Sequence, residues 1–131
     1  IEVIENGTKI DYYSNGAIMN KTNYLNSEKE GLSINYHPNG LLENKVNYTK
    51  GKKTGVFEAY YENGQLKALL KYVEGKEEGA CKFYYENGKL FISGFFIKGV
   101  QNNLWVYHNM EGVSVKEEVY RNGELISEKK Y

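Results

Sequence analysis

Residues 55–79, GVFEAYYENGQLKALLKYVEGKEEG, hold one complete unit of the pattern that decides the fold. A short aromatic run over 56–61 leads into a turn at Glu62-Asn63-Gly64, and an alternating segment follows over 65–73. In that segment Leu66, Ala68, Leu70 and Tyr72 alternate with mainly polar residues, which is the period of a β-strand with one buried face. The unit is therefore predicted to be a β-hairpin.

The unit recurs every 24 residues, and positions related by this period are called a column below. The turn column is Gly16, Gly40, Gly64, Gly88 and Gly112. Two aromatic columns keep the same period: Tyr12, Tyr36, Tyr60, Tyr84 and His108, and Tyr24, Tyr48, Tyr72, Phe96 and Tyr120. Self-similarity at a fixed period is the signature of a repeat architecture. We expect one domain over 1–131, with a half repeat at 1–9, repeats at 10–33, 34–57, 58–81 and 82–105, and a degenerate C-terminal repeat at 106–131.

Pro38 fixes the type of the turn in each hairpin. It stands in the column of Glu62, and proline cannot take the positive φ that a type I′ turn requires. We therefore predict a three-residue loop, a type I turn closed by a left-handed glycine, which places Tyr60 opposite Leu66. Repetition then predicts an all-β fold, a single elongated, twisted antiparallel β-meander of about 11 strands, without helices. The face of Tyr12, Ile18 and Tyr24 is expected to form the principal core.

Composition limits the classes of partner. Seventeen basic and seventeen acidic residues cancel, so the chain lacks the basic surplus of a nucleic-acid binder, and no apolar run is long enough for membrane insertion. The single cysteine excludes an internal disulfide framework. The chain starts at Ile1 rather than at a methionine, which favours an exported or cell-envelope protein over a cytoplasmic one.

Catalytic chemistry has few available residues. His37 and His108 stand where tyrosine stands in other repeats, and Cys81 shares a column with Phe57 and Trp105, so all three are interpreted as structural replacements. No zinc, calcium, nucleotide or nucleophile motif is present in the sequence. We expect no catalytic residue, no metal ligand, no cofactor and no enzymatic activity.

The repeat resembles the MORN-repeat variant family. The resemblance rests on a Gly with an aromatic two residues on, a Tyr-Tyr-x-Asn-Gly turn, a Leu two residues later and a Gly-Lys turn. Residues 55–57, 60–64, Leu66 and 75–76 fit this pattern well, whereas 108–112 and Ser114 of the last repeat depart from it. The resemblance implies an elongated antiparallel sheet that serves as a scaffold or partner-binding surface. Similar bacterial proteins are labelled antitoxin-like, and related ones are surface proteins.

The predicted interaction surface lies in the last two repeats. Alternation there predicts a second apolar face, formed by Phe83, Phe91, Phe95, Ile97, Trp105, Tyr107, Val115 and Val119. Such a face favours protein-partner binding, a homodimer, or a sheet that curls over itself, unless a β-bulge exchanges the two faces. The function expected is a non-catalytic interaction module, antitoxin-like or a surface scaffold. The alternative is a glycan- or small-ligand-binding sheet that uses the tyrosine ladder Tyr12, Tyr36, Tyr60 and Tyr84.

Overall fold

The computed structural model of the protein describes residues 5–131, so the first four residues of the expected half repeat lie outside it. The described residues form one antiparallel sheet without a helix. Its strands are β1 (Gly7–Tyr12), β2 (Ile18–Leu25), β3 (Glu28–Lys29), β4 (Gly31–Tyr36), β5 (Leu42–Thr49), β6 (Lys52–Tyr60), β7 (Leu66–Val73), β8 (Lys76–Glu77), β9 (Gly79–Tyr84), β10 (Leu90–Ile97), β11 (Val100–His108), β12 (Ser114–Arg121) and β13 (Glu124–Lys130).

Eleven of the strands follow one another in meander order, and the two-residue strands β3 and β8 pair back with β2 and β7. The predicted fold class is therefore confirmed, because the sheet is all-β, antiparallel and open at both edges.

Two kinds of turn connect the strands. In the first, the Gly40 amide donates to the His37 carbonyl (2.9 Å) and Gly40 has φ +89°, which is the predicted type I turn with a left-handed glycine. In the second, both central residues have positive φ, as in Glu74 (+49°) and Gly75 (+84°). That is the two-residue type I′ turn, whose twist suits antiparallel strands.

The core lies on one face of the sheet, called the core face below, and the other is called the open face. Ala68, Leu70, Cys81 and Trp105 are buried together there, and the partly buried aromatic rings of Phe57, Tyr72, Phe83, Phe96, Tyr107 and Tyr120 pack against them. Trp105 is only 4% exposed; its indole meets Phe96 and Tyr120 edge-on, with ring centroids 5.1 and 6.3 Å away. Large rings over small neighbours let a single-layer sheet bury a core.

One of the two aromatic columns predicted to form the core lies on the other face of the sheet. Tyr60 does pair with Leu66, as expected, but the register shifts by a bulge between Ala59 and Tyr60. Alternation from Phe57 and Ala59 then puts Tyr60 on the open face, where its hydroxyl donates to Glu58 (2.7 Å). The column of Tyr24 lies on the core face as predicted, whereas the column of Tyr12 lies on the opposite face because of this bulge.

Candidate interaction surface

The repeated Tyr-x-Asn-Gly residues hold neighbouring repeats together. The hydroxyls of Tyr13, Tyr61 and Tyr85 each donate to a backbone carbonyl 23 residues further on, at 2.6–2.7 Å. The amides of Asn15, Asn39, Asn63 and Asn87 do the same at 2.9–3.1 Å. The hydrogen-bonding groups of these tyrosines and asparagines are therefore already used within the sheet.

His37 makes the contact that tyrosine makes elsewhere. Its Nε2 lies 2.8 Å from the carbonyl oxygen of Tyr60, and because a carbonyl only accepts, Nε2 carries the proton. Its Nδ1 lies 3.6 Å from Glu43 Oε2, and the ring is buried. The geometry supports the interpretation of His37 as a structural replacement for tyrosine.

Cys81 is a packed thiol. It is 1% exposed, and burial raises its pKa to about 11, so it is protonated at neutral pH. Within residues 5–131 no group of His, Cys, Asp and Glu is arranged to hold a metal ion, and no helix there is long and apolar enough to cross a membrane.

The eight residues predicted to form one apolar face lie on both sides of the sheet. Phe83, Trp105 and Tyr107 belong to the core face, and Trp105 is too deeply buried to meet a partner. The prediction that all eight share a face opposite to the core is therefore wrong. Strict alternation along a strand does not include β-bulges, such as those between Leu90 and Ile92 and between Tyr107 and His108, and a bulge changes which side chains share a face.

Phe91, Tyr107 and Val115 line one shallow groove of about 460 Å³ together with Tyr85. The rings of Tyr85 and Phe91 lie 4.5 Å apart, and the Lys116 ammonium is 4.2 Å from the centroid of Tyr107. Aromatic pairing and the cation–π contact already use much of the surface of these rings.

The open face carries the remaining three predicted residues. Alternation places Phe95, Ile97 and Val119 there, and Ile97 and Val119 are 38% and 36% exposed. Leu104, which the sequence analysis missed, pairs directly with Val119 and is 47% exposed. Its column (Thr8, Leu32, Val56, Ala80, Leu104) was the available signal.

The last repeats differ from the earlier ones in what stands beside this column. Leu32 pairs with Asn47 and Val56 pairs with Lys71, so an apolar residue has a polar neighbour. Further along, Ala80 pairs with Phe95 and Leu104 pairs with Val119, so both members are apolar. We call Phe95, Ile97, Leu104 and Val119 the open-face patch.

The tyrosine ladder also lies on the open face. Tyr12 is 58% exposed, whereas Tyr36, Tyr60 and Tyr84 are half-buried. The hydroxyl of Tyr60 donates a hydrogen bond to Glu58. Because Tyr60 is also half-buried, less of its ring is available for stacking against a ligand.

A buried carboxylate lies on the core face at the C-terminal end of the sheet. Burial by itself raises the pKa of Glu118, but hydrogen bonds from Tyr107 and Tyr120 and the charge of Lys116 outweigh it, and the net shift is downward. In turn, burial and the hydrogen bond to Glu118 raise the pKa of Tyr107. The cluster is a neutralised ion pair with two hydroxyl donors, and this arrangement stabilises the carboxylate anion.

The chain is similar to a family of repeat proteins and, distantly, to part of a solved structure. The model of the MORN repeat variant family matches residues 5–26, 29–50, 53–74 and 77–98. No curated protein matches the chain. The crystal structure of TarM is similar at 15% identity and a TM-score of 0.45, over 96% of this chain and 21% of that one, so this chain spans about a fifth of TarM. Because the four matches cover more than half of its residues, the chain belongs to the MORN repeat variant family.

Proposed function

We propose that this protein is a non-catalytic interaction module that binds a protein partner through the open-face patch. Repeats of this family generally mediate interactions with proteins or membranes and are generally not enzymes. The observation that carries the proposal is the pairing of Leu104 with Val119, two exposed apolar side chains where earlier repeats pair an apolar residue with Asn47 or Lys71.

The open-face patch is not part of the hydrophobic core. The core of the sheet is complete on the other face, where the aromatic rings pack around Trp105. Leaving Leu104 and Val119 exposed therefore gains nothing for folding, whereas contiguous exposed apolar surface is typical of protein interfaces. An antitoxin-like neutraliser would hold a toxin protein here, and a surface scaffold would hold a structural partner.

The proposal is tested by substitutions that give the last repeats the side chains found at the same positions of earlier repeats. Phe95→Lys and Val119→Asn install the residues that the same column carries at Lys71 and Asn47. Proteins recovered from the source cells with the wild-type chain are compared with those recovered with the double variant, and the interaction is then measured with the purified partner. We expect affinity to fall at least about tenfold, which corresponds to about 1.4 kcal/mol.

Lys71→Ala is the matched control, since it changes the same column in an earlier repeat and should leave the affinity unchanged. Undiminished binding by the double variant would overturn the proposal. Sedimentation of the purified chain addresses the homodimer: a concentration-dependent dimer that the double variant abolishes would make a second copy the partner.

The ladder of Tyr12, Tyr36, Tyr60 and Tyr84 remains the alternative proposal, in which a glycan stacks on the open face. Tyr12, with 58% of its surface exposed, is the member best placed for it. Loss of a glycan-array signal in Tyr12→Ala, with the signal retained in Phe95→Lys, would favour this alternative.

A further inference from the structure

An asparagine followed by glycine is a chemically labile step in a polypeptide chain. The backbone nitrogen of the second residue can attack the side-chain amide of the asparagine, and a glycine has no side chain to obstruct the approach. The sequence contains six such steps, which begin at Asn6, Asn15, Asn39, Asn63, Asn87 and Asn122. Their reactivity in the folded protein depends on how firmly each asparagine side chain is held.

The four asparagines of the three-residue turns are each held by two side-chain hydrogen bonds. At Asn63, Oδ1 accepts from the Gln65 amide (2.9 Å) and Nδ2 donates to the Glu86 carbonyl (3.1 Å). Both bonds recur at Asn15, Asn39 and Asn87. The side chain has to rotate toward the following nitrogen before it can react, and that rotation would break both bonds.

Asn122 stands in the other kind of turn, the type I′ turn between β12 and β13, with φ +51° at Asn122 and +84° at Gly123. Its backbone amide donates to Asn102 Oδ1 (3.0 Å), but among residues 5–131 its exposed side chain has no hydrogen-bond partner. The side chain of Asn122 is therefore free to rotate. Asn6 is intermediate, because its Oδ1 accepts from the Asn26 amide (3.0 Å).

The attacking nitrogen is bonded in both kinds of turn. The Gly123 nitrogen donates to the Gln101 carbonyl (2.8 Å), and the Gly64 nitrogen donates to the Tyr61 carbonyl (2.9 Å). One such bond has to open in either case, and local opening costs least in exposed turns. The two kinds of turn thus differ in the two additional side-chain bonds that hold Asn63 and its equivalents.

We propose that Asn122 is a site of spontaneous modification, at which the chain forms a cyclic imide with Gly123 and then aspartate or isoaspartate. The Gly123 nitrogen loses its proton to solvent and bonds to Cγ of Asn122. The bond from Cγ to Nδ2 breaks, and Nδ2 leaves as ammonia after taking up a proton from water. Water then opens the imide at either of its carbonyls. Water is the only co-reactant.

The isoaspartate product would change the last hairpin. It adds one carbon atom to the backbone path and a carboxylate to the turn, whereas a type I′ turn needs two central residues with positive φ. The hydrogen bond from Gly123 to Gln101 depends on that geometry. We therefore expect β13 to pair less firmly with β12 in the modified chain, and the amide hydrogens of β13 to exchange faster. Asn122→Asp, which adds the charge without the extra carbon, is the control for this effect.

Peptide mapping by mass spectrometry locates the modification after the folded chain is incubated at mildly alkaline pH, since replacement of NH2 by OH changes the mass of each peptide. Asn122 should convert at least about tenfold faster than each of the four asparagines of the three-residue turns. Tenfold corresponds to about 1.4 kcal/mol, which lies within the range for loss of two hydrogen bonds. Asn6 should convert at an intermediate rate.

Two controls separate the effect of the fold from that of the sequence. Asn26 holds the same place in an equivalent turn, with φ +51°, but Ser27 follows it, and Asn26 should convert more slowly than Asn122. In urea the six Asn-Gly steps should convert at similar rates, because nothing holds their side chains. The proposal fails if Asn122 converts no faster than Asn63 in the folded chain, or if the same preference for Asn122 persists in urea.

Discussion

The indole of Trp105 occupies the space in which residue 94 would carry a side chain: a Cβ built on Gly94 would lie 2.3 Å from the indole Cδ2. Gly94 stands in the column of Val46 and Leu70, and it is paired with Cys81. The loss of a side chain at this position and a small residue beside it thus make room for the largest side chain of the protein. Gly94 is not needed for a positive φ, which distinguishes it from the other glycines.

Gly94→Ala should therefore destabilise the sheet by overpacking. Even a methyl group at residue 94 forces Trp105 to move, and overpacking of a core costs about 1–3 kcal/mol. Urea denaturation followed by tryptophan fluorescence measures the change. Ser93→Ala is the control, since residue 93 faces the other side of the same strand and should change stability little; equal effects of both substitutions would contradict the packing argument.

Tyr61→Phe should weaken the contact between adjacent repeats. The Tyr61 hydroxyl donates to the Tyr84 carbonyl at 2.6 Å, and loss of one such bond costs about 0.5–1.5 kcal/mol. Tyr60→Phe removes a hydroxyl that bonds only within its own strand, to Glu58, and should cost less. Thermal unfolding of the two variants decides the order, and a greater loss in Tyr60→Phe would refute the inter-repeat role.

Local turn chemistry made much of the fold predictable from the sequence. Pro38 excludes one turn type, the glycines supply the positive φ, and together they fix which residues face each other across each hairpin. The placement of Tyr60 and Trp105 was not predictable in the same way. A bulge is a property of two paired strands, so alternation counted along one strand does not detect it.

The same limit explains the outcome for the predicted surface. Phe95, Ile97 and Val119 are on the face opposite to the core as predicted, although register shifts lie between Ser93 and Phe95 and between Val119 and Tyr120. Phe91 and Val115 lie beside the bulges, and they line the groove with the core-face residue Tyr107. Their role in binding a partner stays a prediction.

Asn103 should tolerate glycine but not alanine. It has φ +60° in the column of Gly31, Gly55 and Gly79, and asparagine enters the left-handed region more readily than alanine. We expect Asn103→Ala to cost about 1 kcal/mol and Asn103→Gly to stay within about 0.5 kcal/mol of the wild type. Chemical denaturation of both variants measures this, and an alanine variant as stable as the glycine variant would contradict the backbone explanation.

Cys81 should resist alkylation in the folded protein. The side chain is 1% exposed and burial raises the thiol pKa to about 11, so access and thiolate content are both low. Iodoacetamide at neutral pH should modify the native chain at least about tenfold more slowly than the urea-unfolded chain. Equal rates, measured by mass spectrometry, would show that the core around Trp105 opens readily.

Glu118 should make the stability of the sheet depend on pH. Its folded-state pKa lies below the ordinary value of 4.5 because Tyr107, Tyr120 and Lys116 overcome the effect of burial. A lowered folded-state pKa adds stability that is fully present above pH 4.5 and is lost as the pH falls through the folded-state value. Stability should therefore decline on acidification below that point.

Glu118→Gln isolates this contribution, since glutamine cannot ionise. At pH 7 the variant should be less stable than the wild type, by no more than about 1 kcal/mol because water lies close to a one-layer sheet and screens the ion pair. The difference should shrink as the pH falls below 4.5 and Glu118 itself becomes protonated, because its pKa lies below that value. Glu124→Gln, at an exposed position of β13, is the control and should show no such trend. A difference between Glu118→Gln and the wild type that stays constant from pH 7 to 3 would mean that the carboxylate charge is not what stabilises this end of the sheet.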